Sequence, residues 1–207
     1  MKVLAYSLDP VMRVWLSGAK TNFRVVNEGD IFNCFGVGEV VQSQDDSYPV
    51  GSHIFGNTGT TSYMELDDQK MMECFGIDSD LVKQFGPNQY LYLANNGLAA
   101  FHGYEIMSPK KGETVVVSTA SGATGLLLCH LLKKQGIGIL AICSQKKRSY
   151  VEPYTSEIVD YRDREVLRSY LSKRKFHKYF DNVGESQLDL ILENIQDFGV
   201  LAMCGAI

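Results

Sequence analysis

The second half of this 207-residue chain alternates short apolar runs with longer amphipathic ones, and this alternation most constrains its fold. The run at residues 114–118 is β-branched and apolar on both faces, as is typical of a central strand in a parallel sheet. Further runs of strand length lie at 137–143, 157–160, 177–180 and 200–204, and helical patterns lie between them at 126–135, 163–173 and 186–195. Strand and helix in alternation predict an α/β fold, a doubly wound parallel sheet with helices on both faces.

Residues 1–93 have a different texture, because short β-like runs such as 38–41 and 51–55 alternate with turn residues. This spacing favours an irregular barrel or sandwich. We therefore predict two domains, at residues 1–93 and 94–207. With 45% apolar and 21% charged residues, a chain of this length can bury a core without disulfides or metals.

A glycine-rich turn follows the strand at 114–118. Aligned with the dinucleotide-binding template G-x-G-x-x-G, the chain has Ala120, Gly122 and Gly125 at the three glycine positions. Gly122 would let the backbone approach a pyrophosphate, and Gly125 would let the helix pack closely on the strand. The backbone N–H groups from Ala123 to Gly125, at the positive end of the helix dipole, would hold the negative charge. The alternative is a tight turn between strand and helix that binds nothing.

The residues after the second predicted strand bear on the choice of cofactor. NAD sites usually place Asp or Glu there to bind the ribose hydroxyls. Residues 144–148 instead read Ser-Gln-Lys-Lys-Arg, without a carboxylate, and Lys and Arg suit the 2′-phosphate of NADPH. The sequence therefore favours NADPH over NADH, with a solvated basic helix start as the alternative.

Composition and cysteine spacing argue against several other classes of protein. A net charge of −4 and a pI of about 5.6 are unfavourable for nonspecific binding of nucleic acid. No apolar run reaches the roughly 18 residues of a membrane span, and the N-terminus lacks the pattern of a signal peptide. The five cysteines are widely spaced and without a Cys-x-x-Cys pair, and the four histidines form no ligand pattern. These features predict a cytoplasmic protein without a structural disulfide or zinc site.

Several motifs, in order along the chain, resemble those of one protein family. They are 8–13 (LDPVMR), 96–101 (NGLAAF), 120–125 (ASGATG), 179–184 (YFDNVG) and 204–207 (CGAI). The family is the zinc-free part of the medium-chain dehydrogenase/reductase superfamily, in its branch of prostaglandin reductases, leukotriene hydroxydehydrogenases and alkenal/enone reductases. The segment YFDNVG favours this branch over the quinone reductases of the same superfamily. The resemblance implies a partial GroES-like β domain followed by a Rossmann domain whose parallel sheet ends after its fifth strand.

The resemblance also implies a site and an activity. The residues that it places around NADPH are Gly122, Ala123, Thr124 and Gly125 at the pyrophosphate, Lys147 at the 2′-phosphate, Tyr161 and Asn182 along the cofactor, and Cys204, Gly205, Ala206 and Ile207 near the nicotinamide. The implied reaction reduces the carbon–carbon double bond of an α,β-unsaturated ketone or aldehyde, with NADPH as hydride donor and no metal. The implied partners are a small-molecule substrate and, in a homodimer, a second copy of the chain.

The sequence does not identify a catalytic residue. Charge that develops on the substrate oxygen needs a hydrogen-bond donor. Tyr63, Tyr104 and Tyr161 are candidates for the donor of a proton, and a structural role is the alternative for each.

Three positions depart from the family pattern. Val11 and Phe101 replace tyrosines, and Ala99 replaces a threonine, so hydroxyl groups on the substrate side are lost. These changes leave a second hypothesis open, in which the chain is a truncated, non-catalytic paralogue that binds NADPH or nothing.

Overall fold

The computed structural model describes residues 1–17 and 26–205. Contacts between Cα atoms divide the chain into two units, Met1–Asn95 and Asn96–Ile207. The division falls inside a π-helical turn, Leu93–Gly97. The predicted domains at 1–93 and 94–207, as functional units, stay a prediction.

The N-terminal unit is built on a four-stranded antiparallel sheet with the strand order β1-β2-β3-β4. The strands are β1 (Lys2–Tyr6), β2 (Phe35–Glu39), β3 (His53–Asn57) and β4 (Cys74–Ile77). The helices of this unit are α1 (Met12–Leu16), α2 (Asp68–Met71), α3 (Ser79–Phe85) and α4 (Pro87–Tyr92). Val37 and Phe55 of the sheet pack with Val82 of α3 and Leu91 of α4 in one buried cluster.

The C-terminal unit contains a five-stranded parallel sheet with the order β7-β6-β5-β8-β9. The strands are β5 (Thr114–Val117), β6 (Gly138–Ile142), β7 (Ile158–Val159), β8 (Lys178–Asp181) and β9 (Val200–Met203). The first strand of this unit, β5, is thus central: β6 and β7 are added on one side of it, and β8 and β9 on the other. Such a change of side opens a crevice at the carboxyl ends of β5 and β8, where open α/β sheets bind their ligands.

Helices cover both faces of the parallel sheet, as predicted. They are α5 (Leu98–Met107), α6 (Ala123–Lys134), α7 (Arg148–Val151), α8 (Arg164–Ser172) and α9 (Glu185–Leu192). Successive residues of β5 point to opposite faces, so Val115 belongs to the buried cluster under α5 and α6, whereas Val116 belongs to the cluster under α8 and α9. This arrangement explains why the strand is apolar throughout its length.

The helix α5 packs on β8 through a glycine. A Cβ atom on Gly103 would lie 2.0 Å from Cε2 and 2.5 Å from Cδ2 of the Phe180 ring, which is fully buried. Only a residue without a side chain allows this approach, so α5 can lie directly on the strand whose end borders the crevice.

The ends of the helices are close to the predicted ones, with two differences, of which the first is that α6 begins at Ala123 and not at Leu126. Asp163 caps α8, since its carboxylate accepts from the N–H of Val166 at 3.0 Å. The helix α6 stops before Gly136, whose φ is 70°. The helix predicted at 186–195 instead ends at Leu192. Within the described residues, no helix has the length and apolar character needed to cross a membrane.

Candidate functional site

The turn between β5 and α6 is held by backbone hydrogen bonds. The N–H of Ala120 donates to the carbonyl oxygen of Ile142 at the end of β6 (3.0 Å), and the N–H of Gly122 donates to the carbonyl oxygen of Thr119 (2.8 Å). Thr119 has a φ of 47°, in the left-handed region that a β-branched residue rarely adopts. The turn is therefore an ordered and locally strained connection.

The two glycines of the turn are required by contacts with Thr119 and Ala120. A Cβ atom on Gly125 would lie 2.4 Å from the carbonyl oxygen of Thr119 and 2.8 Å from Cα of Ala120. A Cβ atom on Gly122 would lie 2.9 Å from Cγ2 of Thr119. The close packing expected of Gly125 is what the structure shows, and the helix comes to lie directly against the turn.

The start of α6 offers N–H groups to an anion. No side chain caps this helix, and within the described ranges no carbonyl group accepts from the N–H of Thr124 or Gly125. The side chain of Thr124 is directed elsewhere, because its Oγ1 donates to Oδ1 of Asn96 (3.0 Å). The positive end of the helix dipole and two available N–H groups lie at the switch point of the sheet, which fits a pyrophosphate.

The basic segment after β6 contains three cationic side chains. Arg148 has a structural role, whereas Lys146 and Lys147 are available to a ligand. Arg148 is committed to its own loop, where Nε pairs with Glu152 (3.0 Å) and Nη1 donates to the carbonyl oxygen of Ile158 (3.3 Å). Lys146 and Lys147 are exposed, and in the part of the chain that the structure describes neither makes an ion pair. These two side chains remain able to meet a phosphate group.

A carboxylate does reach this loop, although none follows β6 in the sequence. Asp160, at the end of β7, accepts from the N–H of Arg162 (2.9 Å) and from the N–H of Gln145 (2.8 Å). These two hydrogen bonds, with a further contribution from the Arg162 side chain, lower the pKa of Asp160. Both carboxylate oxygens are thus engaged by backbone, and the bond to Gln145 brings Tyr161 next to the loop that carries Lys147.

The ends of β5 and β8 are joined through Ser118 and Asn182. The N–H of Asn182 donates to Oγ of Ser118 (2.7 Å), and its side-chain Nδ2 donates to the carbonyl oxygen of Ser118 (2.9 Å). Asn182 is therefore fixed at the edge of the crevice. The sequence did not indicate the role of Ser118, because its partner lies 64 positions away along the chain.

The ends of β8 and β9 are joined through the backbone of Asp181. Its carbonyl oxygen accepts from the N–H of Cys204 (2.7 Å) and from the N–H of Gly205 (3.0 Å). Two of the four residues expected near the nicotinamide thus lie beside β8. The other two, Ala206 and Ile207, lie outside the described residues.

The three tyrosines considered as proton donors lie in different surroundings. Tyr63 belongs to the N-terminal unit and is 65% exposed. Tyr104 is partly buried against the apolar cluster under α5 and α6. Tyr161 is 43% exposed, with the Arg162 guanidinium 5.8 Å from the centre of its ring. The role of each as a donor stays a prediction.

The histidines are spread over both units. His53 is buried and contacts Ser79, with 2.9 Å between Nδ1 and Oγ, whereas His102, His130 and His177 are exposed. Among the described residues, no three His, Cys, Asp or Glu side chains are grouped so that they could hold a metal ion.

Comparison with known proteins finds relatives that align with the whole chain. Residues 1–74 match the family described as the N-terminal domain of oxidoreductase. The whole chain is 32% identical to the NADP(+)-dependent 2-alkenal reductase of Nicotiana tabacum, and it covers 62% of that protein. The chain is thus homologous, over its whole length, to reductases of the medium-chain dehydrogenase/reductase family. It is also 29% identical, over its full length, to prostaglandin reductase 1 of Oryctolagus cuniculus, of which it covers 58%.

Solved structures support the same fold. CurA of Vibrio vulnificus, crystallised with NADPH, superimposes with a TM-score of 0.82 at 24% identity, over 99% of this chain and 61% of CurA. The predicted fold class is confirmed: a small antiparallel sheet and a five-stranded parallel sheet, as in a partial GroES-like domain and a Rossmann domain of the medium-chain family. The chain spans about three fifths of the length of these relatives.

Proposed function

We propose that this chain binds NADPH at the carboxyl edge of its parallel sheet. The observation that carries the proposal is the uncapped start of α6, which lies at the switch point of the sheet. Lys147, which makes no ion pair among the described residues, lies on the loop after the neighbouring strand. In this arrangement the N–H groups of Thr124 and Gly125 hold the pyrophosphate, Gly122 and Ala123 form the turn against it, and Lys147 meets the 2′-phosphate. The names of the tobacco reductase and of the CurA complex, which specify NADP(+) and NADPH, support the same cofactor.

We further propose that the protein reduces the carbon–carbon double bond of α,β-unsaturated ketones or aldehydes. The relatives named for such activities include the 2-alkenal reductase and a (+)-pulegone reductase of Mentha piperita, which is 30% identical over 89% of this chain. Bound NADPH supplies the hydride for such a reaction. The residues of this chain orient the cofactor: Ser118 fixes Asn182 at the crevice, and the Asp160 bridge fixes Tyr161 beside the 2′-phosphate loop.

Three finer expectations belong to the same proposal: catalysis without zinc, a cytoplasmic location and a homodimer. All five cysteines are unpaired, and four of them are buried, which suits a reducing compartment. A chelator that leaves turnover unchanged and a dimer in sedimentation would agree with the first and third expectations.

The experiment that tests the cofactor is a comparison of NADPH and NADH binding by fluorescence enhancement. We expect Lys147→Ala to weaken NADPH binding about tenfold and to leave NADH binding nearly unchanged, because only NADPH carries the 2′-phosphate. Lys134→Ala is the matched control, since it removes the same charge at the exposed far end of α6. A folded chain that binds neither cofactor would contradict the proposal.

The alternative function is NADPH binding without catalysis. It is favoured by Val11, Ala99 and Phe101, which carry no hydroxyl group, and two of which are more than 40% exposed. Loss of NADPH absorbance in the presence of a 2-alkenal decides between the two, because the binding-only protein would retain its NADPH signal without consuming the cofactor.

A further inference from the structure

The side chain of Asp181, the last residue of β8, is fully buried and concentrates hydrogen bonds on one of its oxygens. Oδ1 accepts from the N–H of Gly184 (2.9 Å), the N–H of Val183 (3.0 Å) and the hydroxyl of Tyr179 (3.0 Å). The Ser118 hydroxyl lies within 3.4 Å of the same oxygen. In the described part of the chain Oδ2 has no partner. A carboxylate held in this way fixes the turn that follows β8, because two consecutive N–H groups of that turn point at it.

The backbone of Asp181 fixes a second segment. Its carbonyl oxygen holds the N–H groups of Cys204 and Gly205, at 2.7 Å and 3.0 Å, just after β9. Through Ser118, the same residue also contacts the end of β5. Asp181 therefore joins the carboxyl ends of three neighbouring strands, β5, β8 and β9.

The residues so joined lie on one side of the switch point. Lys147 and Tyr161 follow β6 and β7, whereas Asn182, Cys204 and Gly205 follow β8 and β9. A dinucleotide that straddles the switch point places its two halves on opposite sides of β5. If the adenosine half with its 2′-phosphate lies toward Lys147, the nicotinamide half lies over the strands that Asp181 joins.

We propose that Asp181 is a positioning residue for the nicotinamide half of NADPH, acting through Ser118 and Asn182 and through the backbone of Cys204 and Gly205. The proposal rests on NADPH binding as proposed above. The carboxylate itself is buried and contacts only protein groups, so it acts on the cofactor by holding the turn after β8 and the Ser118 hydroxyl in place, while the backbone carbonyl oxygen holds the segment after β9. Loss of the carboxylate loosens the turn after β8, while the β6–β7 side of the site stays intact.

The test compares two ligands on the intact chain: NADPH, and adenosine 2′,5′-bisphosphate, which carries the adenosine half alone. Asp181→Asn keeps the size of the side chain but replaces an ionisable acceptor by a neutral amide, whose hydrogen bonds are about half as strong. We expect the Kd for NADPH to rise about tenfold and the Kd for the bisphosphate to change by less than about twofold. Lys147→Ala should instead weaken the binding of both ligands.

Two further variants separate positioning from general damage. Lys134→Ala, at the exposed far end of α6, removes a charge away from both turns and should leave both affinities unchanged. Ser118→Ala removes the acceptor for the N–H of Asn182 and should reproduce the split between the two ligands, even if Asp181→Asn does not fold. Equal losses for both ligands in a folded Asp181→Asn or Ser118→Ala variant would overturn the proposal, as would unchanged NADPH affinity. If the unmodified chain binds the bisphosphate but not NADPH, the positioning role is wrong, and if it binds neither, the proposed function fails with it.

Discussion

At the scale of single residues, the turn before α6 combines close packing at Gly125 with a strained backbone conformation at Thr119. Gly125 must lack a side chain because the carbonyl oxygen of Thr119 would lie only 2.4 Å from its Cβ atom. Thr119 itself is a β-branched residue with a φ of 47°. The close packing of the helix is therefore obtained at the cost of strain in the residue that it packs against.

Replacement of Thr119 by Asn should relieve part of this strain. Asn adopts the left-handed region more readily than Thr, and the Thr119 side chain is exposed, so we expect a gain of about 0.5–1 kcal/mol in the free energy of unfolding. Urea denaturation measures it. Thr124→Asn, one position inside α6, is the control and should give no gain. A loss of stability in Thr119→Asn would show that the threonine side chain makes contacts that outweigh the strain.

At the scale of elements, the packing of α5 on β8 depends on the pair Gly103 and Phe180. The Phe180 ring is fully buried, so it cannot swing away from an added methyl group. Phe180 belongs to β8, which ends at Asp181. A shift of α5 would therefore displace residues that border the crevice.

Gly103→Ala should destabilise the chain by about 1–3 kcal/mol, since it overpacks a closed interface. Phe180→Leu should destabilise it by a similar amount by leaving a cavity. In the double variant the added methyl group occupies part of that cavity. The double variant should therefore lose less stability than the sum of the losses in the two single variants. Urea denaturation of all four proteins gives the coupling energy. Strictly additive losses would mean that α5 moves as a whole and that the contact does not set its position.

Sequence patterns predicted the elements better than the connections between them. The alternation of strand and helix gave five strands and two covered faces, because the periodicity of apolar residues is a local property that burial imposes directly. The glycine turn and the basic loop could also be predicted, because each is a short contiguous segment of the sequence. Ser118, Asp160 and Asp181 were not recognised, because their partners are brought to them by the order of the strands. Nothing in the residues around Asp160 indicates that it will accept from Gln145, 15 positions earlier.

At the scale of the whole molecule, the buried thiols link stability to pH. Burial raises the pKa of Cys129 from 9.0 to about 12, with Cys143 as a secondary cause. Burial is also the main cause that raises the pKa of Cys34, Cys74 and Cys143. Because each pKa is higher in the folded chain, the unfolded chain releases these protons first as the pH rises. Stability that is fully present below about pH 9 is therefore lost above it.

For Cys129, the free energy of unfolding should fall with pH between about 9 and about 12, by up to about 1.4 kcal/mol per pH unit. The other buried thiols should add to this fall above about pH 9. Cys129→Ala should make this fall shallower, although it lowers stability at neutral pH by leaving a small cavity. Cys204→Ala, at an exposed residue, should change the slope less. Urea midpoints measured across this pH range test the prediction, and an unchanged slope in Cys129→Ala would show that this thiol ionises equally easily in both states.

The order of the parallel sheet has a consequence for how the chain assembles. Strand β5 pairs with β6 through residues 24 positions apart, Thr114 and Gly138, but with β8 through residues 63 positions apart, Val115 and Lys178. The longer loop costs about 0.9 kcal/mol more in closure entropy. During synthesis, the glycine turn between β5 and α6 and the loop with Lys147 after β6 also leave the ribosome well before the residues around Asn182. The half of the crevice that we propose for the adenosine end of NADPH can thus be in place while the other half is still being made.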